Sequence, residues 1–192
     1  MATRADALAA VRTILEYIGE DPYRPGLAET PDRYIRAWEE DHGRFYFVKE
    51  TERLVKLFPA ELGENGCYDQ MVTVRNISIT STCEHHLAPF FGRAHIAYLP
   101  SAAGIVGISK LARVATHFAS RLQTQERLTE NIADFLELKV ANDVAIMLEC
   151  EHTCMMTRGV RQPEAVTITT GLRGIFRDDP GAKSEFLRTI GK

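Results

Sequence analysis

The sequence predicts an α+β chain: an antiparallel sheet with two helices on one face, preceded by N-terminal helices. Strand-type alternation of apolar and polar residues comes in paired runs, MVTVRNISIT with FGRAHIAYLP and DVAIMLECE with EAVTITTGLRGIF. Between the two pairs lie two stretches whose apolar residues recur at helical spacing. The order is therefore strand-strand, helix-helix, strand-strand. Strands that do not alternate with helices pair antiparallel. The chain divides by texture into a polar N-terminal helical region, residues 1–66, and a sheet-bearing domain, residues 67–192, that carries the chemistry.

Each element has its own warrant. Leu8, Val11, Leu15 and Ile18 share one helical stripe and predict a helix over residues 5–19. Asp21-Pro22 and Arg24-Pro25-Gly26 break it. A second helix starts with Thr30 as N-cap and Pro31 at the first helical position, and Gly43 suits its stop. Residues 50–58 suit a third, short helix. In the first strand the alternation shifts register near Asn76, which predicts a bulge. Ser109 suits the cap of a helix striped by Leu111, Val114, Phe118 and Leu122. The next helix turns Leu128, Ile132, Phe135 and Leu136 inward, and the third strand places Val144, Ile146, Leu148 and Cys150 on one face.

Composition narrows the function class. With 192 residues, 45% hydrophobic and 26% charged, the chain can bury a core without disulfides. A net charge of −3 argues against a general nucleic-acid binder, while leaving room for a small anionic substrate held by local cations. No apolar run is long enough to span a membrane. The N-terminal stripe has interleaved acids and no apolar block before a cleavage site, so a signal peptide is not expected. The expected compartment is the reducing cytoplasm, where cysteines beside histidines serve as metal ligands more often than as disulfides.

The densest chemistry is Cys83-Glu84-His85-His86, joined downstream by Glu151-His152-Thr153-Cys154. Thiolates and imidazoles are the donor set that favours zinc. Cys83, His86 and Cys154 form the economical triad, because the adjacent His85 and His86 point apart. Three protein ligands leave a fourth position for water, the mark of a catalytic site. Cys150 alternates with apolar residues and reads as core, and Cys67 lies in a turn without a role. Taken singly, each cysteine reads more readily as a small buried residue than as a ligand, and each histidine as a surface or hydrogen-bonded one; the cluster carries the metal reading.

A second feature concerns anions. Ser109-Lys110 opens a helix and Arg113 lies one turn on, so free backbone N–H groups and two cations suit a phosphate. A solvated helix start explains the same residues. Arg158 follows Cys154 by four positions, and Gln125-Glu126 lies between two helices beside Arg121 and Arg127.

The blocks TPDR, TSTCEHHLAPF, GISKLAR, QTQERLT, ECEHTCMMTRGV and EFLRTI together resemble the GTP cyclohydrolase I family from about Thr30 to the C-terminus. The resemblance implies the tunnelling fold, in which sheets of several subunits close into barrels, and a homodecamer with active sites between subunits. It implies conversion of GTP and water to 7,8-dihydroneopterin triphosphate and formate, a first step of pterin or folate-type biosynthesis. Carried over by position, it places one Zn2+ per subunit on Cys83, His86 and Cys154. His85 and His152 match the catalytic histidines, with Gln125 grouped beside them. Glu126 matches the carboxylate that holds the guanine edge, and Glu84 a residue that shapes the site. Ser109, Lys110, Arg113, Arg158 and Arg33 match the triphosphate contacts. Departures at Ala88, Cys150, Gly171 and Lys139–Asp143 fall on none of these positions.

The implied partners are GTP and further copies of the chain, with neither nucleic acid nor membrane. Two rivals remain: another enzyme of the same fold, whose ligands are mainly histidines, and a purely structural zinc protein, which has no use for His85, His152 and Glu126.

Overall fold

A computed structural model describes residues 2–47, 51–59, 68–101 and 104–192. The chain forms two compact units, Met1–Val48 and Lys49–Lys192.

The first unit is a pair of helices, α1 (Arg4–Tyr17) and α2 (Thr30–Phe47). Thr3 caps α1 in a reciprocal box: its hydroxyl accepts from the Asp6 N–H while the Asp6 carboxylate accepts from the Thr3 N–H at 2.7 Å. The Thr3 N–H and then the Thr3 hydroxyl, each donating to that carboxylate, hold the Asp6 carboxyl below its usual range. Arg4 ties the helices together through Asp32 at 2.8 Å and Glu39 at 3.1 Å. The expected stop at Gly43 does not occur, since α2 runs through it to Phe47. A lone glycine weakens a helix by about 1 kcal/mol but ends it only where the backbone turns left-handed.

The second unit opens with a 3-10 turn, Thr51–Leu54, and a short strand β1 (Leu57–Phe58). The helix expected over 50–58 is thus replaced, residue 50 lying outside the described ones, because Leu57 and Phe58 pair with a distant strand, β4 (Ile105–Val106). Cys67 also lies outside the described residues.

The main sheet contains β2 (Val72–Cys83), β3 (Ala88–Tyr98), β5 (Leu122–Gln123), β6 (Val144–His152) and β7 (Val166–Arg173), in the order β5-β2-β3-β6-β7. All neighbours are antiparallel except β5, which runs parallel to the end of β2. The predicted bulge sits between Val74 and Ile77, with Asn76 at a φ of 61°. Asparagine tolerates that left-handed conformation better than other side-chain-bearing residues.

Helices α3 (Ile108–Ala119) and α4 (Gln125–Lys139) cover one face of the sheet, as predicted. Leu111, Val114, Leu128, Ile132 and Leu136 meet Val144, Ile146, Leu148 and Cys150 in a single buried core. Ser109 does not cap α3; Gly107 holds that position and Ser109 lies exposed in the first turn. After the four-residue α5 (Thr153–Met156), the chain ends in α6 (Ile175–Asp178) and α7 (Pro180–Ile190). Phe176, Phe186 and Ile190 from these last helices pack on Ala97, Ala145 and Met147, the residues of β3 and β6 that face away from the first core. The sheet is therefore covered on both sides at its β3–β6 centre, which explains the almost unbroken burial of Val144–Leu148.

Candidate active site

The ends of β2 and β6 lie on either side of β3, so their loops meet at one end of the sheet. Cys83 is the last residue of β2, and a tight turn follows in which the His86 and Leu87 N–H groups donate to the Cys83 carbonyl. Leu87 takes a φ of 51° to close it. Cys154 sits in α5 directly after β6, and the Thr153 hydroxyl fastens that turn to the Pro89 carbonyl at 2.6 Å. The result is a cluster of Cys83, His86 and Cys154 whose ligand atoms all lie within 4.8 Å of one another.

The donor set fits a divalent metal. Bond lengths of about 2.3 Å to sulfur and about 2.1 Å to nitrogen put ligand pairs of a tetrahedral zinc roughly 3.5–3.8 Å apart. Cys83 Sγ and His86 Nδ1 are already separated by 3.6 Å. Partial burial, and then the adjacent Cys83 thiol, raise the Cys154 thiol above its ordinary value. A bound cation favours the thiolate and would relieve that resistance of Cys154 to ionising. Cys150, by contrast, is fully buried in the core, and burial pushes its thiol up to about 12.

Beside the cluster lies a cavity of about 270 Å³ whose wall includes Cys83, His85, His86, Gln125, Glu126 and His152. The His85 and His86 rings stand nearly perpendicular at 85°, and His86, not His85, is the one that shares the cluster with the two thiols. His85 Nε2 is 3.9 Å from Glu84 Oε1, while the other Glu84 oxygen pairs with Arg127. His152 stacks on Phe90 with centroids 4.6 Å apart and 12° between the planes. Burial lowers its pKa from the ordinary histidine value, against a smaller opposing pull from Glu126. Glu126 lies in the first turn of α4, whose N-terminal dipole favours a carboxylate, and Thr124 caps that turn by accepting from the Arg127 N–H.

The predicted anion-binding residues lie elsewhere. Ser109, Lys110 and Arg113 belong to α3 and Arg158 follows α5; none of them is in the wall of this cavity. Lys110 donates to the Arg53 carbonyl at 2.9 Å. Arg33 belongs to the first compact unit and pairs with Glu29, the residue just before its own helix. A larger cavity, about 740 Å³, lies between β2, β3 and the C-terminus and is lined in part by Arg93, His95, Glu149 and Lys192. Its wall includes none of Cys83, Cys154, His85 and His152.

The pattern of the family described as GTP cyclohydrolase I matches residues 7–191. The chain belongs to the GTP cyclohydrolase I family. Its enzymatic activity is that of the family, a hydrolase acting on GTP, and its sheet-and-helix domain is the family's tunnelling fold. It is 49% identical over 182 residues to GTP cyclohydrolase 1 of Aquifex aeolicus, covering 94% of this chain and 93% of that one. It is 47% identical to GTP cyclohydrolase 1 of Maricaulis maris, covering 98% and 89%. The corresponding protein of Rhodopirellula baltica is 46% identical, with 96% and 77% covered.

Some site residues of this GTP cyclohydrolase I chain escaped sequence reasoning. Phe90 and Arg127 touch His152 and Glu84 respectively, and Thr167 and Thr169 hold Gln125. Each contact crosses from one element to another: the pairing of β3 with β6 and of β6 with β7 sets Phe90 beside His152 and the threonines where Gln125 meets them, and the β2–β5 pair Cys83↔Gln123 brings the start of α4 to Glu84.

Proposed function

We propose that the cavity beside Cys83, His86 and Cys154 is the catalytic site of GTP ring opening and that the metal is Zn2+, one per chain. The observation that carries this is the shared wall: a two-thiol, one-imidazole cluster, two further histidines and a carboxylate on one small cavity. Bound there, zinc supplies Lewis acidity and a water that ionises near neutral pH. His85 and His152 move protons during ring opening and reclosure, histidine being the side chain that titrates in this range. Glu126 accepts two hydrogen bonds from the guanine N–H edge, which adenine cannot offer. Glu84 holds Arg127 at the rim. The products are 7,8-dihydroneopterin triphosphate and formate, in a pterin or folate-type pathway.

Ser109, Lys110, Arg113, Arg158 and Arg33 bind the triphosphate. A cavity of about 270 Å³ is smaller than the ~300–1,000 Å³ typical of ligand sites, and four of these five cations or helix-start groups belong to other parts of the same sheet domain. We therefore propose that a second copy of the chain completes the site, in a homo-oligomer, a decamer by family resemblance. No described helix is long and apolar enough to cross a membrane, and the proposed compartment is the cytoplasm.

The test is direct. Zinc-loaded protein incubated with GTP is expected to release formate and, after oxidation, a fluorescent neopterin. Zinc-replete protein that forms neither product removes the assignment.

A further inference from the structure

We infer that Gln125 is a positioning residue: it fixes the proton of the neutral His152 ring on Nε2, so that only Nδ1 can exchange a proton with the substrate. The inference rests on the reading of His152 as a catalytic group and adds which of its nitrogens works.

The argument starts from a buried amide. Gln125 is 1% exposed, at the first turn of α4. Its side chain reaches across β6 and β7, where Nε2 faces the Leu148 carbonyl at 3.2 Å, the Thr167 carbonyl at 2.9 Å and the Thr169 hydroxyl at 3.1 Å. Carbonyl oxygens only accept. Turning the amide over would set its oxygen against two of them, in a place water does not reach. The NH2 group therefore faces the strands, and Oε1 faces His152.

A second set of contacts fixes the same order independently. The Thr129 hydroxyl donates to the main-chain carbonyl of Gln125 at 2.8 Å, which uses its one proton. Thr129 and Thr169 hydroxyl oxygens lie 2.6 Å apart, so Thr169 must be the donor to Thr129. With its proton spent, Thr169 can only accept from Gln125 Nε2. The ring of hydrogen bonds Gln125–Thr169–Thr129–Gln125 has one consistent direction. It presents Oε1, a pure acceptor, at 2.8 Å from His152 Nε2.

An acceptor at that distance requires a proton on Nε2. The requirement holds for both charge states of the ring: the neutral form keeps its proton on Nε2, and the imidazolium adds its second proton at Nδ1. Stacking on Phe90 holds the ring plane in place. His152 thus works as a one-sided proton carrier whose tautomer is set by a group that takes no part in the transfer.

The test uses the metal-loaded enzyme with isotope-labelled histidines, sedimented and read by solid-state nitrogen NMR, with the His152 signals assigned by their loss in His152→Asn. The parent is expected to show a protonated Nε2 and a bare Nδ1. Gln125→Met, close in shape and without hydrogen bonds, is expected to show mixed tautomers. Its kcat should fall about 10- to 100-fold, the range that orienting partners of a functional imidazole command, while KM for GTP stays within about threefold. A parent ring protonated on Nδ1 overturns the inference, and so does Gln125→Met with unchanged tautomer and kcat. Should Gln125→Met not fold, the parent spectrum alone decides. Full turnover by His152→Asn removes the catalytic reading of His152, a result separate from the spectrum of the parent ring.

Discussion

Cys83 Sγ stands 3.6 Å from His86 Nδ1, across a turn that the Cys83 carbonyl itself closes. Backbone geometry at the end of β2 therefore sets two of the three candidate ligands, and Cys154 arrives from α5, directly after β6. Cys154→Ser is expected to leave a weak two-ligand site. Zinc content measured by elemental analysis and turnover of GTP should fall together, each by about tenfold or more. Cys150→Ala is the contrast: this thiol is buried among core residues, so the variant should keep its zinc and lose about 1 kcal/mol of stability in a denaturant titration. Full zinc in Cys154→Ser, or zinc loss in Cys150→Ala, contradicts the ligand assignment.

Glu126 offers its carboxylate in the first turn of α4, a helix end that suits an anion. If it pairs with the guanine N–H edge, Glu126→Ala removes two charge-assisted hydrogen bonds. The expected loss in kcat/KM for GTP is about 100-fold, corresponding to about 3 kcal/mol. The preference for GTP over ATP should shrink in parallel, because the group that rejects adenine is gone. Competition assays with both nucleotides measure it, and an unchanged preference would assign guanine recognition elsewhere.

Much of this site was legible in the sequence because its parts are local. Cys83 and His86 share one turn, so spacing brought that pair forward, while Gln125 and Glu126 share one helix start and took their roles from the family resemblance. The paired strands were equally legible, since each alternates over its own length. Contacts between strands were not. Nothing local to Phe90 marks it as the partner of His152, and the two meet only because β3 and β6 pair in the register Phe90↔His152. The strands β1 and β5 have two residues each, too short for any periodicity, and their pairing partners supply the reason they exist. The cover of α6 and α7 on the second face was hidden for a related cause: Ala97, Ala145 and Met147 are small or flexible apolar residues whose burial depends on Phe176 and Phe186 arriving from the C-terminus.

His95 gives the second face a pH dependence. It is 3% exposed, and burial lowers its pKa below the ordinary value of 6.5 despite Glu149, whose carboxylate lies 3.3 Å from Nε2. Lys192, bonded to the same carboxylate at 2.6 Å, and Arg75 also oppose the charged ring. With the folded pKa below the unfolded one, the unfolded state binds more protons in the window between them. Stability is therefore complete above about pH 6.5 and declines as pH falls toward the folded value. His117 and His152 are shifted in the same direction. Thermal unfolding between about pH 7 and pH 5 should show a falling midpoint, and His95→Asn should flatten part of that slope. A slope identical in the two proteins would place the dependence on the other histidines.

Two glycines of the sheet separate close backbone approach from ordinary packing. A β-carbon at Gly92 would lie 1.9 Å from the Glu149 carbonyl and 2.7 Å from the Cys150 Cα, both backbone atoms of β6. Neither can rotate away, so Gly92→Ala must push β3 and β6 apart at the pair Gly92↔Cys150. The expected cost is at the upper end of overpacking, about 3 kcal/mol. The same displacement would shift Phe90 against His152, two register positions along, so kcat should fall even in the fraction that folds. At Gly171 a β-carbon would meet the Ala133 Cβ at 3.0 Å and the Thr129 Cγ2 at 3.3 Å. Those are side-chain atoms of α4, and a few tenths of an ångström of helix movement accommodates them. Gly171→Ala should therefore change stability by less than about 1 kcal/mol, helped by the lower chain entropy of alanine in the unfolded state. Denaturant titration of both variants with GTP turnover on the folded material checks the pair. A mild Gly92→Ala would mean that the strands separate there at little cost, and a severe Gly171→Ala that α4 is held too firmly on β7 to yield.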